Sequence, residues 1–163
     1  MEEYLAGWNN FNVAIMGAAG ALAGLVIVAA SVNIAEVVKA PSLTSRLAGD
    51  IAGLVLALSG SAVGLVPEVS PMSYGLSMAV LTAGAGLLQV QATRRIYENR
   101  HPDNQMKFGK SAVGFVAPFA YLVGAALLIT GSPQGVVWFA AGSIVAIITA
   151  LVISWIALVE VLR

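Results

Sequence analysis

The chain has no cysteine and one histidine, His101, in 163 residues. Without thiols there is no disulfide, no thiolate-held metal and no cysteine nucleophile. A lone imidazole cannot give bis-histidine haem ligation, and His101 sits in ENRHPDNQ, a turn-forming polar run. Charge is scarce as well, at 10% of residues, against about a quarter in soluble chains. The sequence shows no paired catalytic carboxylates, nucleophile elbow, Walker loop or helical H-E-x-x-H. Gly84 and Gly86 fall inside an apolar run and begin no phosphate loop. The expectation is a non-enzyme with no cofactor, no metal and no nucleic-acid partner.

What is present is apolar, 59% of the chain. A helix rises ~1.5 Å per residue, so the ~30 Å hydrocarbon slab needs about 20 apolar residues. Five stretches meet that length, at about 11–35, 47–66, 74–93, 111–131 and 135–159, separated by turn-forming or polar segments. They predict an all-α membrane protein, a five-transmembrane-helix bundle in one domain over 1–163. The opening MEEYLAGWNN is acidic and lacks the basic region of a cleaved signal, so the first span is expected to stay attached.

Eight basic residues balance eight acidic ones, but their placement is one-sided. Lys39 and Arg46 lie between spans one and two, Arg94, Arg95, Arg100, Lys107 and Lys110 between three and four, and Arg163 at the end. Five alternating spans put all eight on one face of the membrane. The positive-inside rule makes that face cytoplasmic and leaves the N-terminus outside. The five basic residues from Arg94 to Lys110 are then placed to contact lipid headgroups. Tyr4, Trp8, Tyr74 and Trp138 read as aromatic anchors near the outer interface, Tyr97 and Trp155 near the inner one.

Small residues recur at helical spacing in every span. Between helices already in lipid, association rests on close packing and interhelical hydrogen bonds, both of which small side chains permit. Gly17, Gly20 and Gly24 share one stripe, as do Gly49, Gly53, Gly60 and Gly64, while Gly86 lies with Thr82, Gln89 and Thr93 on a third. Spans four and five carry Gly114 with Pro118, and Ser143, Ala146, Ala150 and Ser154. These glycines predict tight helix packing and a homo-oligomer. Pro118 removes a backbone donor, so the carbonyl about a turn earlier, near Gly114, lacks its usual partner, giving either a packing kink or else a gate hinge or a carbonyl that contacts a permeant.

No charge lies at the middle of any span. Asp50, four residues after Arg46, is the nearest, and Gln89 is the deepest strongly polar side chain. Asp50 reads as an interfacial ion-pair partner or, with Asn33, Glu36 and Glu160, as part of a cation-attracting inner ring. Gln89, Thr82 and Thr93 read as interhelical hydrogen-bond donors and acceptors or as pore lining. Asn33, Asp50, Thr82, Gln89 and Thr93 are the candidate polar lining.

The run from Trp8 to Ile34, with GAAGALAGL, Ser31 and Asn33, followed by Leu43, Arg46 and the GLVP ending at Pro67, resembles a family of small bacterial integral membrane proteins. Some of its members carry the label "modulator of FtsH protease". Asn12 and Ile27 stand where the family leads one to expect aromatics. The resemblance covers the first two spans and implies a bacterial plasma membrane, a regulatory role and no catalytic residues. Two functions stay open. One is a homo-oligomeric bundle that passes a small ion or solute; the other is an accessory subunit of another membrane complex, such as a membrane protease.

Because the chain has no cysteine, single-cysteine variants report sidedness directly. Asn104→Cys should react with an impermeant maleimide only after the cytoplasmic face is opened, and Glu68→Cys in intact cells. The reverse pattern would refute the orientation.

Overall fold

The computed structural model describes residues 2–39, 41–98 and 107–161; Arg100, His101 and Arg163 lie outside them. All regular structure among the described residues is helical: α1 (Glu2–Ala6), α2 (Asn9–Val32), α3 (Ile34–Lys39), α4 (Pro41–Gly64), α5 (Pro71–Glu98), α6 (Lys107–Ile129) and α7 (Gly135–Val161). Five of these, α2, α4, α5, α6 and α7, are long and apolar enough to cross a membrane. Large apolar side chains such as Leu25, Val32, Val80, Leu87 and Phe119 cover their outer surface, which suits hydrocarbon rather than water.

The breaks follow from local chemistry. Asn33 leaves helical geometry and its amide donates back to the Ala29 carbonyl at 3.1 Å, so α2 stops there and α3 starts anew. Thr44 Oγ1 donates to the Val37 carbonyl at 2.8 Å and fixes α4 to α3. Ser70 caps α5 by accepting from the Ser73 N–H at 3.1 Å, with Pro71 at the first helical position, where a missing N–H costs nothing. At the α6–α7 hairpin, Gly131 has φ +84°, and the Ser132 and Gly131 N–H groups donate to Leu127 and Leu128. This is the glycine-dependent helix stop in which a left-handed residue closes the last turn.

Helices α4, α5, α6 and α7 form a closed ring: each touches the next, and α7 returns to α4. The remaining long helix, α2, lies outside this ring, packed on α4 with a smaller contact on α7. Accordingly 44% of the membrane-length window of α4 is buried, against 17% for α2. One core fills the α2–α4 seam, with Ile15, Ala19, Val26, Leu54 and Ala57. A second fills the ring interior, with Leu56, Tyr74, Met78, Tyr121, Leu128 and Phe139. The ring has an acidic end, where α1 and the 65–70 loop carry Glu3 and Glu68, and a basic end with Arg46, Arg94 and Arg95.

Every seam of the ring has a glycine in it. A Cβ on Gly124 of α6 would meet the Gly135 carbonyl of α7 at 2.7 Å, and one on Gly135 would run into the Gly124 carbonyl, so the two main chains touch directly. Gly75 of α5 faces the Ala125 carbonyl of α6 at 2.9 Å, Gly60 of α4 faces Met78 of α5 at 3.0 Å, and Gly53 of α4 faces Ala146 of α7 at 3.6 Å. Gly64 is wedged against both Tyr74 of α5 and Asn12 of α2.

The expected glycine packing is not uniform within one chain. Gly17, Gly24 and Gly86 have nothing within 4 Å of a built Cβ, and Gly20 meets only Leu58. The reason is the face that α2 presents: Asn12, Ile15, Ala19 and Val26 point inward, which turns Gly17 and Gly24 outward. Tyr74 also departs from its reading as an interfacial anchor. It is 2% exposed, and its hydroxyl donates to the Gly60 carbonyl at 2.8 Å.

Gly60→Leu should therefore destabilise the detergent-solubilised protein by ~1–3 kcal/mol, the usual cost of overpacking. Gly17→Leu should change stability by less than about 0.5 kcal/mol, as surface substitutions do. Reversible unfolding in mixed micelles measures both, and equal losses would contradict this seam assignment.

Candidate functional site

In the acidic half of the ring, every polar side chain named here has a partner. Ser143 Oγ donates to the Phe139 carbonyl at 2.9 Å, which leaves the Tyr121 hydroxyl to donate to Ser143 Oγ at 2.7 Å. Thr82 Oγ1 donates to the Met78 carbonyl at 2.6 Å. The rings of Tyr74 and Tyr121 flank Phe139 at centroid distances of 5.1 and 5.6 Å. With Met78 and Leu56 they form a packed layer across the ring interior.

Toward the basic end the interior changes character. Asp50 of α4, Gln89 of α5, Gly114 and Pro118 of α6, and Thr149 of α7 line one cavity, with small residues around them. It has about 20 Å³ of room for the centre of a water-sized sphere, enough for a single water or ion. Asp50, Gln89, Pro118 and Thr149 come from the four ring helices and line the same cavity, so they share a single layer of the interior.

Glycine makes the room. The Gln89 amide lies between α4 and α6: a Cβ on Gly49 would come within 2.7 Å of its Oε1, and a Cβ on Gly114 would overlap its Nε2. Gly114 is four residues before Pro118, which has no N–H, so the Gly114 carbonyl lacks its helical donor. The helix α6 continues through Pro118.

Asp50 is 9% exposed, and its Oδ2 is buried with no hydrogen-bond partner among the described residues. Arg46, one turn earlier, bears on it electrostatically. Two further buried oxygens without partners, Thr93 Oγ1 and Ser154 Oγ, lie between this layer and the basic end. A buried carboxylate oxygen without a donor costs far more than a paired one. The layer therefore has the chemistry to hold something cationic.

Of the five expected polar-lining residues, the structure brings Asp50 and Gln89 together and sets Thr93 one turn from Gln89. Thr82 lies two turns deeper, bonded to its own helix. Asn33 ends α2 and lines no part of the cavity. The side chains of Glu36, Glu160, Lys107 and Lys110 lie outside the described residues, while Arg94 and Arg95 are exposed at the end of α5. Gly114, whose neighbourhood Pro118 had marked, lines the cavity; Thr149 was not among the expected lining residues. The available signal was Thr149 three residues after Ala146, on the small-residue side of α7.

Gly114→Ala should destabilise the bundle by ~1–3 kcal/mol through its clash with Gln89. Gln89→Ala should relieve that clash, with a favourable coupling of at least about 1 kcal/mol in a double-mutant cycle. Strictly additive effects would show that Gln89 does not depend on the glycine.

Compared with known proteins, the chain matches no protein-family model, no curated protein and no solved structure, so the reading of the site rests on its geometry.

Proposed function

We propose that this chain is a non-catalytic multi-pass protein of a bacterial plasma membrane that assembles as a homo-oligomer and passes a small ion or solute through the Asp50 layer. The observation that carries this reading is the partnerless Asp50 Oδ2 in a cavity to which all four ring helices contribute. Intramembrane carboxylates are costly and usually mark ion or substrate pathways. In this reading the basic end faces the cytoplasm, because positive loops stay inside. Arg94 and Arg95, exposed there, meet anionic headgroups. Passage requires the Tyr74–Tyr121–Phe139 layer to open, since these packed rings stop the path on the acidic side.

A second reading has its own observation. The outward face of α2 carries Gly17, Ala21 and Gly24, and no described residue comes within 4 Å of a Cβ built on either glycine. A surface thin enough for close helix approach fits an accessory subunit seated on another membrane complex. The resemblance to the family with "modulator of FtsH protease" members agrees with that role.

Native mass measurement of the detergent-extracted protein, followed by ion flux in proteoliposomes, separates the readings. The bundle reading expects a homo-oligomer whose flux falls at least about tenfold in Asp50→Asn, the loss that goes with ~1.4 kcal/mol at the site. A monomer without flux that co-purifies with a membrane protease supports the accessory reading instead.

A further inference from the structure

We infer that the Asp50 layer is a binding site for one monovalent alkali cation of about sodium size, entered from the basic end of the ring. The inference rests on the site described under the proposed function but not on transmembrane passage.

Charge sets the class of ligand. Among the described residues Asp50 is the one ionisable side chain lining the cavity, with Arg46 a turn away outside it, so the cavity itself calls for no more than a single positive charge. A divalent ion would leave net positive charge in a low-dielectric interior, and calcium takes six to eight oxygens, with several carboxylates in its usual sites. Anions are repelled by Asp50. Size removes most of the rest, since about 20 Å³ admits one water-sized occupant and no organic solute.

The donor set is that of a hard cation. The lining residues carry oxygens a cation can use: the Asp50 carboxylate, the Thr149 hydroxyl, the Gln89 amide, whose Oε1 lies toward Gly49 beside Asp50, and the backbone carbonyl of Gly114, which Pro118 leaves without a helical donor. Hard cations select oxygen ligands of these kinds, and no nitrogen or sulfur ligand competes in the cavity. Partnerless polar atoms give the direction of entry. Thr93 Oγ1 and Ser154 Oγ lie on the basic side of Asp50, whereas the acidic side is closed by aromatic rings and satisfied hydroxyls.

Equilibrium binding of ²²Na⁺ to the purified full-length protein in detergent tests this. Wild type should bind saturably, near one ion per chain, with displacement by sodium chloride but not by choline chloride. Asp50→Asn should weaken binding at least about tenfold, and Thr149→Val several-fold, as expected for losing a charged and a neutral oxygen ligand. Gel filtration identifies any variant that fails to fold, and the wild-type isotherm decides by itself if both do. Absence of saturable wild-type binding, undiminished binding in a folded Asp50→Asn, or displacement by calcium at lower concentration than by sodium would each overturn the assignment. Sodium binding without flux in proteoliposomes would leave this site standing and remove conduction; flux without saturable sodium binding would do the reverse.

Discussion

Close approach of helices at glycines holds the ring of this structure together. Once helices are in hydrocarbon, the lipid tails outside are as apolar as the side chains, so no hydrophobic drive brings one helix to another. What remains is dispersion, which falls away quickly with distance and therefore rewards helices whose backbones approach. The Gly124–Gly135 contact is the closest case: each glycine leaves room for the other's carbonyl, and the Gly131 turn sets α6 and α7 at that distance. Gly75 does the same against the Ala125 carbonyl, while Gly60 and Gly53 make room for the Met78 and Ala146 side chains, so every seam of the ring has a glycine that lets its helices approach. By contrast, α2 is held mainly through aliphatic side chains against α4.

That difference explains what could be read from the residues. Five helices were legible because length and hydropathy register the bilayer itself. The inward glycines were not separable from the outward ones, since Gly17 and Gly60 look alike on a helical wheel. In water, burial divides polar from apolar positions; in lipid both faces of a helix are apolar, so the pattern marks a thin stripe without naming its neighbour. Tyr74 shows the same limit from the other side. Its place near a helix start fits an interfacial anchor, and only the nearby Gly60 carbonyl, on a helix that precedes it in the chain, turns it inward.

Polar residues were more legible because each has a cost that must be met somewhere. Asp50 and Gln89 stood out for that reason, and the ring brings them into one layer. Thr149 was hidden among apolar neighbours in an otherwise unbroken span, where a threonine commonly bonds to its own helix, as Thr82 does here. The carbonyl contributed by Gly114 was visible only through Pro118, four residues on.

The two halves of the ring thus differ in kind although their composition is similar. On the acidic side, hydroxyls of Tyr74, Tyr121 and Ser143 are tied to backbone carbonyls or to one another, and the aromatic rings between them exclude water. On the basic side, Asp50, Thr93 and Ser154 hold oxygens with no partner among the described residues. A symmetric pore would distribute such atoms along its length. Among the described residues such atoms are confined to one side, and this asymmetry, with packed aromatic rings on the other side, is what sets the direction of entry in the proposed cation site.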